Sequence, residues 1–257
     1  MVERLALDEE APGDAFVSRS VADERHVFGG LLIGQALRAA TLTVAGDRVA
    51  SSLHASFVAA GIGGEALRYE VERTRDGGSF ATRRVIASQS RGVVLVLTAS
   101  FHREEDGPVF ELPATPDVPG PDGLAVGRYD SPLFESRDVP VGAGSDDTAR
   151  RAWFRPRSTL PADPALHAQA LAYLSDHGPT RAAREPHAHL ADDASRMSVS
   201  LDHSVWFHRP ADVNGWLLSE LVPVATGRGR GLALGTIRAA GGTLLATVAQ
   251  EVLLRQR

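Results

Sequence analysis

Apolar and polar residues alternate along the chain in two separate blocks, and each block follows one stretch of helical period. In the first block the period-two pattern runs through about 50–58, 67–74, 79–89 and 92–102, which predicts four half-buried strands. Asp76-Gly77-Gly78 and Ser90-Arg91-Gly92 supply turns between them. Ahead of the strands, Leu32, Gln35, Ala36 and Ala39 share one face of a predicted helix over about 31–44, with Gly29-Gly30 before its start. The second block repeats the order. A predicted helix at 164–175 carries Leu166, Ala170, Leu171 and Leu174 on one face, and strands follow at about 197–208, 216–224, 231–239 and 243–254. Turns fall at 228–230 and at Ala240-Gly241-Gly242. A helix and then an antiparallel meander, twice over, is the order of an α+β fold in which curved sheets wrap central helices.

Between the blocks, residues 104–145 collect Pro113, Pro116, Pro119, Pro121, Pro140, Gly142 and Gly144, which reads as a long connection with little regular structure. The expected division is an N-terminal half at 1–115, a linker at 116–145 and a C-terminal half at 146–257. The halves resemble each other. The apolar strand that starts at Gly92 recurs at Gly242, an offset of 150, and His54 aligns with His203 at an offset of 149. Both matches suggest an internal duplication.

Composition narrows the chemistry. The chain has 257 residues and a formal charge of -5, which argues against a nucleic-acid partner. All 27 basic residues are arginine, as codon bias in a GC-rich genome would produce. The absence of cysteine excludes disulfides, thiolate metal sites and a cysteine nucleophile. His187 and His189 lack carboxylates at ligand spacing, so no metal and no cofactor is expected. The longest apolar run, 93–97, is far short of the ~18 residues that cross a bilayer. Residues 1–14 are acidic and lack the basic-then-apolar pattern of an export signal, which predicts a cytoplasmic protein.

No Gly-x-Ser-x-Gly elbow occurs. The run Gly227-Arg228-Gly229-Arg230-Gly231 opens a strand instead of a helix and misses both nucleotide-loop spacings, so it reads as a turn with surface arginines, the alternative being a contact to the phosphates of an anionic ligand. Three polar residues stand where apolar ones are expected. Asp176 ends the second helix, where the negative end of the dipole opposes a carboxylate unless water solvates it. Ser200 lies within a predicted strand. Gln250 interrupts an apolar strand and must either face solvent or find hydrogen-bond partners inside.

Longer motifs connect these residues. The first half carries Val27-Phe28-Gly29-Gly30, Gly34-Gln35-Ala36-Leu37, Ser52-Leu53-His54-Ala55-Ser56-Phe57 and Arg75-Asp76-Gly77-Gly78-Ser79-Phe80. The second carries Ser175-Asp176, Ser200-Leu201-Asp202-His203-Ser204-Val205-Trp206-Phe207-His208 and Gln250-Glu251. In this order they resemble the acyl-CoA thioesterase II family, the double hot-dog thioesterases. The resemblance implies two hot-dog halves, an acyl-CoA substrate, and a water activated by an aspartate, a hydroxyl residue and a glutamine. These match Asp176, Ser200 and Gln250; Asp202 and His203 take structural or supporting roles. It also implies a homo-oligomer, since open sheet edges tend to pair. Leu31, 58–61 and Val252 depart from the family pattern and bear on the acyl tunnel and the coenzyme A contacts. Two other readings compete: a hot-dog enoyl-CoA hydratase using Asp176-His177, and a double hot-dog that binds acyl-CoA without turnover.

Overall fold

The computed structural model describes residues 1–11, 13–18, 25–111, 117–142, 148–187 and 196–256. Its elements run α1 (Val2–Leu5), β1 (Leu7–Ala11), β2 (Ala15–Ser18), α2 (Gly29–Leu42), β3 (Val49–Phe57), β4 (Arg68–Asp76), β5 (Phe80–Gln89) and β6 (Gly92–His102). The second half adds β7 (Phe134–Asp138), β8 (Arg150–Pro156), α3 (Pro164–Ser175), α4 (Pro179–Arg184), a 3-10 turn (Glu185–His187), β9 (Arg196–Ser200), β10 (Asp202–Phe207), β11 (Leu217–Gly227), β12 (Arg230–Ala239) and β13 (Leu244–Gln256).

Every pairing is antiparallel, and the sheet order is β1-β2-β4-β5-β6-β3-β10-β13-β12-β11-β8-β7, with β9 added on β13. The sheets of the two halves meet edge to edge where β3 pairs with β10, His54 opposite Ser204. The order reads the same from either end, so a pseudo-twofold passes through that pair. Both long helices lie inside the curve and pack on each other. Glycine sets their separation: a Cβ on Gly30 would fall 2.3 Å from the Tyr173 carbonyl oxygen. Leu32, Ile33, Ala36 and Leu37 of α2 and Leu171 and Leu174 of α3 are almost wholly buried. Among the described residues no helix is long and apolar enough to cross a membrane.

Four expectations change. The first helix begins at Gly29, so both glycines lie in its first turn and not before it. The predicted strand over 197–208 breaks at Leu201 into β9 and β10, which lets β10 leave β9 and pair with β3. The stretch over 116–145 holds β7, which pairs with β8 and mirrors the β1–β2 hairpin; Trp153 Nε1 also donates to the Pro119 carbonyl at 2.9 Å. Residues 143–147 of that stretch, and His189, lie outside the described residues. Finally, His54 and His203 are not equivalent. Leu53 and His203 are both buried and face the helices, whereas His54 faces outward, so the offset on this strand is 150. A slip of one residue moves a strand side chain to the opposite face.

Candidate active site

Asp176 caps the C-terminus of α3 at φ -82°, ψ -2°. The helices pack antiparallel, so this carboxylate meets the N-terminus of α2, where the N-cap residue Phe28 makes no side-chain capping bond. The first turn of a helix presents free N–H groups and the positive end of its dipole. The unfavourable placement on α3 is thereby offset by the favourable end of α2. Gly29 makes the approach possible, since a Cβ there would stand 2.6 Å from Asp176 Oδ2.

The Asp176 side chain is only 5% exposed. Burial raises its pKa to about 7, against the opposing pull of the Gly30 N–H and the Gln250 side chain. Its Oδ1 is buried and makes no hydrogen bond. Native proteins rarely leave such an atom unpaired, so the site is chemically unsatisfied.

Gln250, on β13 and fully buried, reaches this point from the sheet. Its Nε2 donates to Ser200 Oγ at 2.7 Å and to Thr180 Oγ1 at 3.2 Å. Its Oε1 lies 2.6 Å from His203 Nδ1, and His203 Nε2 lies 2.8 Å from Ser175 Oγ. His203 Nδ1 is also 3.9 Å from Asp176 Oδ1. Asp176, Ser200 and Gln250 therefore converge on one amide, although they come from a helix end and two strands. Sequence reasoning missed Thr180, which carries no motif signal, and gave no role to Ser175 beyond its place beside Asp176. It also set His203 aside; the apolar residues alternating around that histidine could have marked it as inward-facing.

One side of the site is aromatic. The His177 ring stacks on Phe28 at 4.6 Å and on Phe154 at 5.9 Å, with Tyr173 edge-on at 5.8 Å. Burial lowers the His177 pKa to about 4 and that of His203 to about 4, so both rings stay neutral at physiological pH. The ring cluster begins at the residue after Asp176, and burial is what raises the pKa of that carboxyl.

A curved antiparallel sheet around two central helices, with a buried polar site where they meet, defines a double hot-dog protein. Family models described as the acyl-CoA thioesterase N-terminal domain and the acyl-CoA thioesterase C-terminal domain match residues 18–102 and 105–254. "Acyl-CoA thioesterase 2" of Haemophilus influenzae is 33% identical over 90% of this chain and 88% of its own length. The crystal structure of an acyl-CoA thioesterase II TesB2 from Mycobacterium marinum superposes with a TM-score of 0.89 at 36% identity, covering 100% of this chain and 98% of that one. A conserved hot-dog protein of unknown function from Alicyclobacillus acidocaldarius, at 22% identity and TM-score 0.80 over 100% of this chain and 98% of its own, shares the fold. The chain belongs to the acyl-CoA thioesterase family.

Proposed function

We propose that this protein hydrolyses acyl-CoA thioesters to a free acid and coenzyme A, using a water held by Asp176, Ser200 and Gln250. The buried, unpartnered Oδ1 of Asp176 carries the reading. A carboxylate with a pKa of about 7 is poised to take a proton at neutral pH. The Ser200 hydroxyl and the Gln250 amide orient the same water, and orientation supplies much of the rate. Water oxygen bonds to the acyl carbon while Asp176 accepts its proton. The carbonyl oxygen becomes an oxyanion, stabilised by the positive end of the α2 dipole. The tetrahedral intermediate then collapses, the C–S bond breaks, and the thiolate recovers the proton from Asp176.

A groove of about 400 Å³ opens further along β9 and β13, lined by Arg184, His187, Arg230 and Arg255. Ser198 lines it, and Ser200 lies two residues along the same strand, about 7 Å away on the same face. Its positive charge suits the phosphates of coenzyme A. The protein acts in the cytoplasm and self-associates, the outer strands β1 and β7 offering edges for pairing.

Free-thiol release from acyl-CoAs of graded chain length tests the activity. Release that is saturable in substrate supports it. Hydration of an enoyl-CoA without thiol release would replace it with the hydratase reading, and tight binding with neither would make the protein a carrier.

A further inference from the structure

We propose that His203 is a positioning residue for this hydrolysis, fixing which side of the Gln250 amide meets Ser200, Thr180 and Asp176; this rests on the reading of those residues given above. His203 is fully buried at the start of β10, between the end of α3 and the middle of β13. Its Nδ1 lies 2.6 Å from Gln250 Oε1. The amide oxygen has no proton, so Nδ1 carries it. A neutral imidazole has one N–H, so Nε2 is the acceptor and the Ser175 hydroxyl, 2.8 Å away, donates to it.

Ser175 Oγ also stands 2.8 Å from the Ala172 carbonyl oxygen, a second acceptor for the same proton. If the hydroxyl turned to Ala172, the ring proton would have to move to Nε2. Nδ1 would then be an acceptor, and the Gln250 amide would have to rotate by half a turn to face it. The rotated amide would turn its negative oxygen edge toward Ser200, Thr180 and Asp176, in place of the positive NH2 edge that now favours the carboxylate. The hydroxyl of Ser175, the tautomer of His203 and the amide of Gln250 thus form one coupled unit, and only one of its two settings suits a carboxylate base.

The pseudo-twofold supplies an internal control. Leu53 occupies the position equivalent to His203 and is equally buried, with Ala99 where the C-terminal half has Gln250. An aliphatic side chain therefore fills this place in the same fold, and packing does not require a histidine.

Measurements on the unmodified chain and on two variants of it test the proposal. Histidine ¹⁵N shifts of the unmodified protein should show His203 protonated on Nδ1 and bare on Nε2; the opposite tautomer overturns the inference. His203→Leu should stay folded, keep its KM and lose roughly tenfold in kcat, the scale of one lost hydrogen bond. The pH midpoint of its kcat/KM should move up, because the positive NH2 edge of Gln250 is no longer held toward Asp176 while the Gly30 N–H remains. His203→Asn returns an N–H near the Nδ1 position and should recover most of the kcat. Unchanged kcat and pH midpoint in a folded His203→Leu, or a folded His203→Asn as slow as the leucine variant, overturns the inference. Should the leucine variant fail to fold, the tautomer and the asparagine variant still decide. An unmodified protein without thiol release would sink the functional reading, while the tautomer measurement would stand apart from it.

Discussion

The two ends of the helix pair share one geometry and treat polar groups in opposite ways. At one end the C-terminus of α3 meets the N-terminus of α2; at the other, the C-terminus of α2 meets the N-terminus of α3. The pseudo-twofold sets Ser200 against Ala50, Gln250 against Ala99 and His203 against Leu53, and the capping positions Asp176 and Thr43 correspond. Each half buries one large polar side chain on the same pair of facing strand positions. In the C-terminal half Gln250 lies opposite Ala233, and in the N-terminal half Arg83 lies opposite Ala99. Arg83 is fully engaged. Its Nε donates to Thr43 Oγ1 at 2.8 Å, and Nη2 donates to the Thr43 carbonyl at 2.9 Å and to Asp76 Oδ1 at 2.6 Å. Nη1 adds the Arg75 carbonyl at 2.9 Å. The facing start of α3 is closed as well, since Asp163 accepts from the Ala165 N–H at 2.9 Å. At the other end the N-cap residue Phe28 makes no side-chain capping bond and Asp176 keeps an unpaired oxygen. A buried polar group with every bond made holds the fold together; one left short of partners can bind and react.

Asp176→Asn should break that contrast most strongly. Turnover should fall roughly 100-fold or more, the usual scale for removing a general base, with the fold intact by circular dichroism. Wild-type turnover in this variant would end the proposed role. The unmodified enzyme should show kcat/KM rising with pH to a plateau above a midpoint near 7, following Asp176. A flat profile between pH 5 and 8 would show that no such base acts.

The same carboxyl sets a pH-dependent stability. An acid whose folded pKa lies above its unfolded value of about 4 binds its proton preferentially in the folded state. Its stabilising share is complete below about pH 4 and is lost as pH climbs through about 7. Asp176→Asn should therefore unfold later than the unmodified chain at pH 8–9, by on the order of a few kcal/mol, with the gap closing toward pH 4. Denaturant melts at both ends of that range check the sign.

Gly30→Ala presses a methyl group onto the Tyr173 carbonyl oxygen. It should cost about 3 kcal/mol, read as a lower melting temperature, and reduce turnover by moving the α2 start away from Asp176. Arg83→Met at the opposite end leaves the carbonyls of Thr43 and Arg75 short of donors and should cost about 2 kcal/mol. Turnover per folded molecule should not change. A fall in kcat there would mean that the two ends communicate.

Much of the local structure was legible along the chain. Period-two alternation located most of the long strands to within a few residues, and glycine-rich turns separated them, because burial on one sheet face requires that pattern. Elements without a strong period were missed. The hairpin of β7 and β8 is short, and proline and glycine surround it, so composition outweighed pattern. The repeat was visible, but the paired histidines misled by one position, because likeness of residue type ignores which face a strand side chain occupies.

The order of residues by itself determined the duplicated helix-and-meander plan, the exclusion of cysteine chemistry, and the polar residues that interrupt apolar elements. Only the tertiary structure decided that Asp176, unfavourable on its own helix, would face the open start of another. It also decided that Gln250 would be shared among Ser200, Thr180 and His203. These contacts join residues from 27 to 146 positions apart, and no local propensity encodes them. They exist because two helices pack antiparallel at glycine distance inside one curved sheet, which is a property of the packed core and not of any segment.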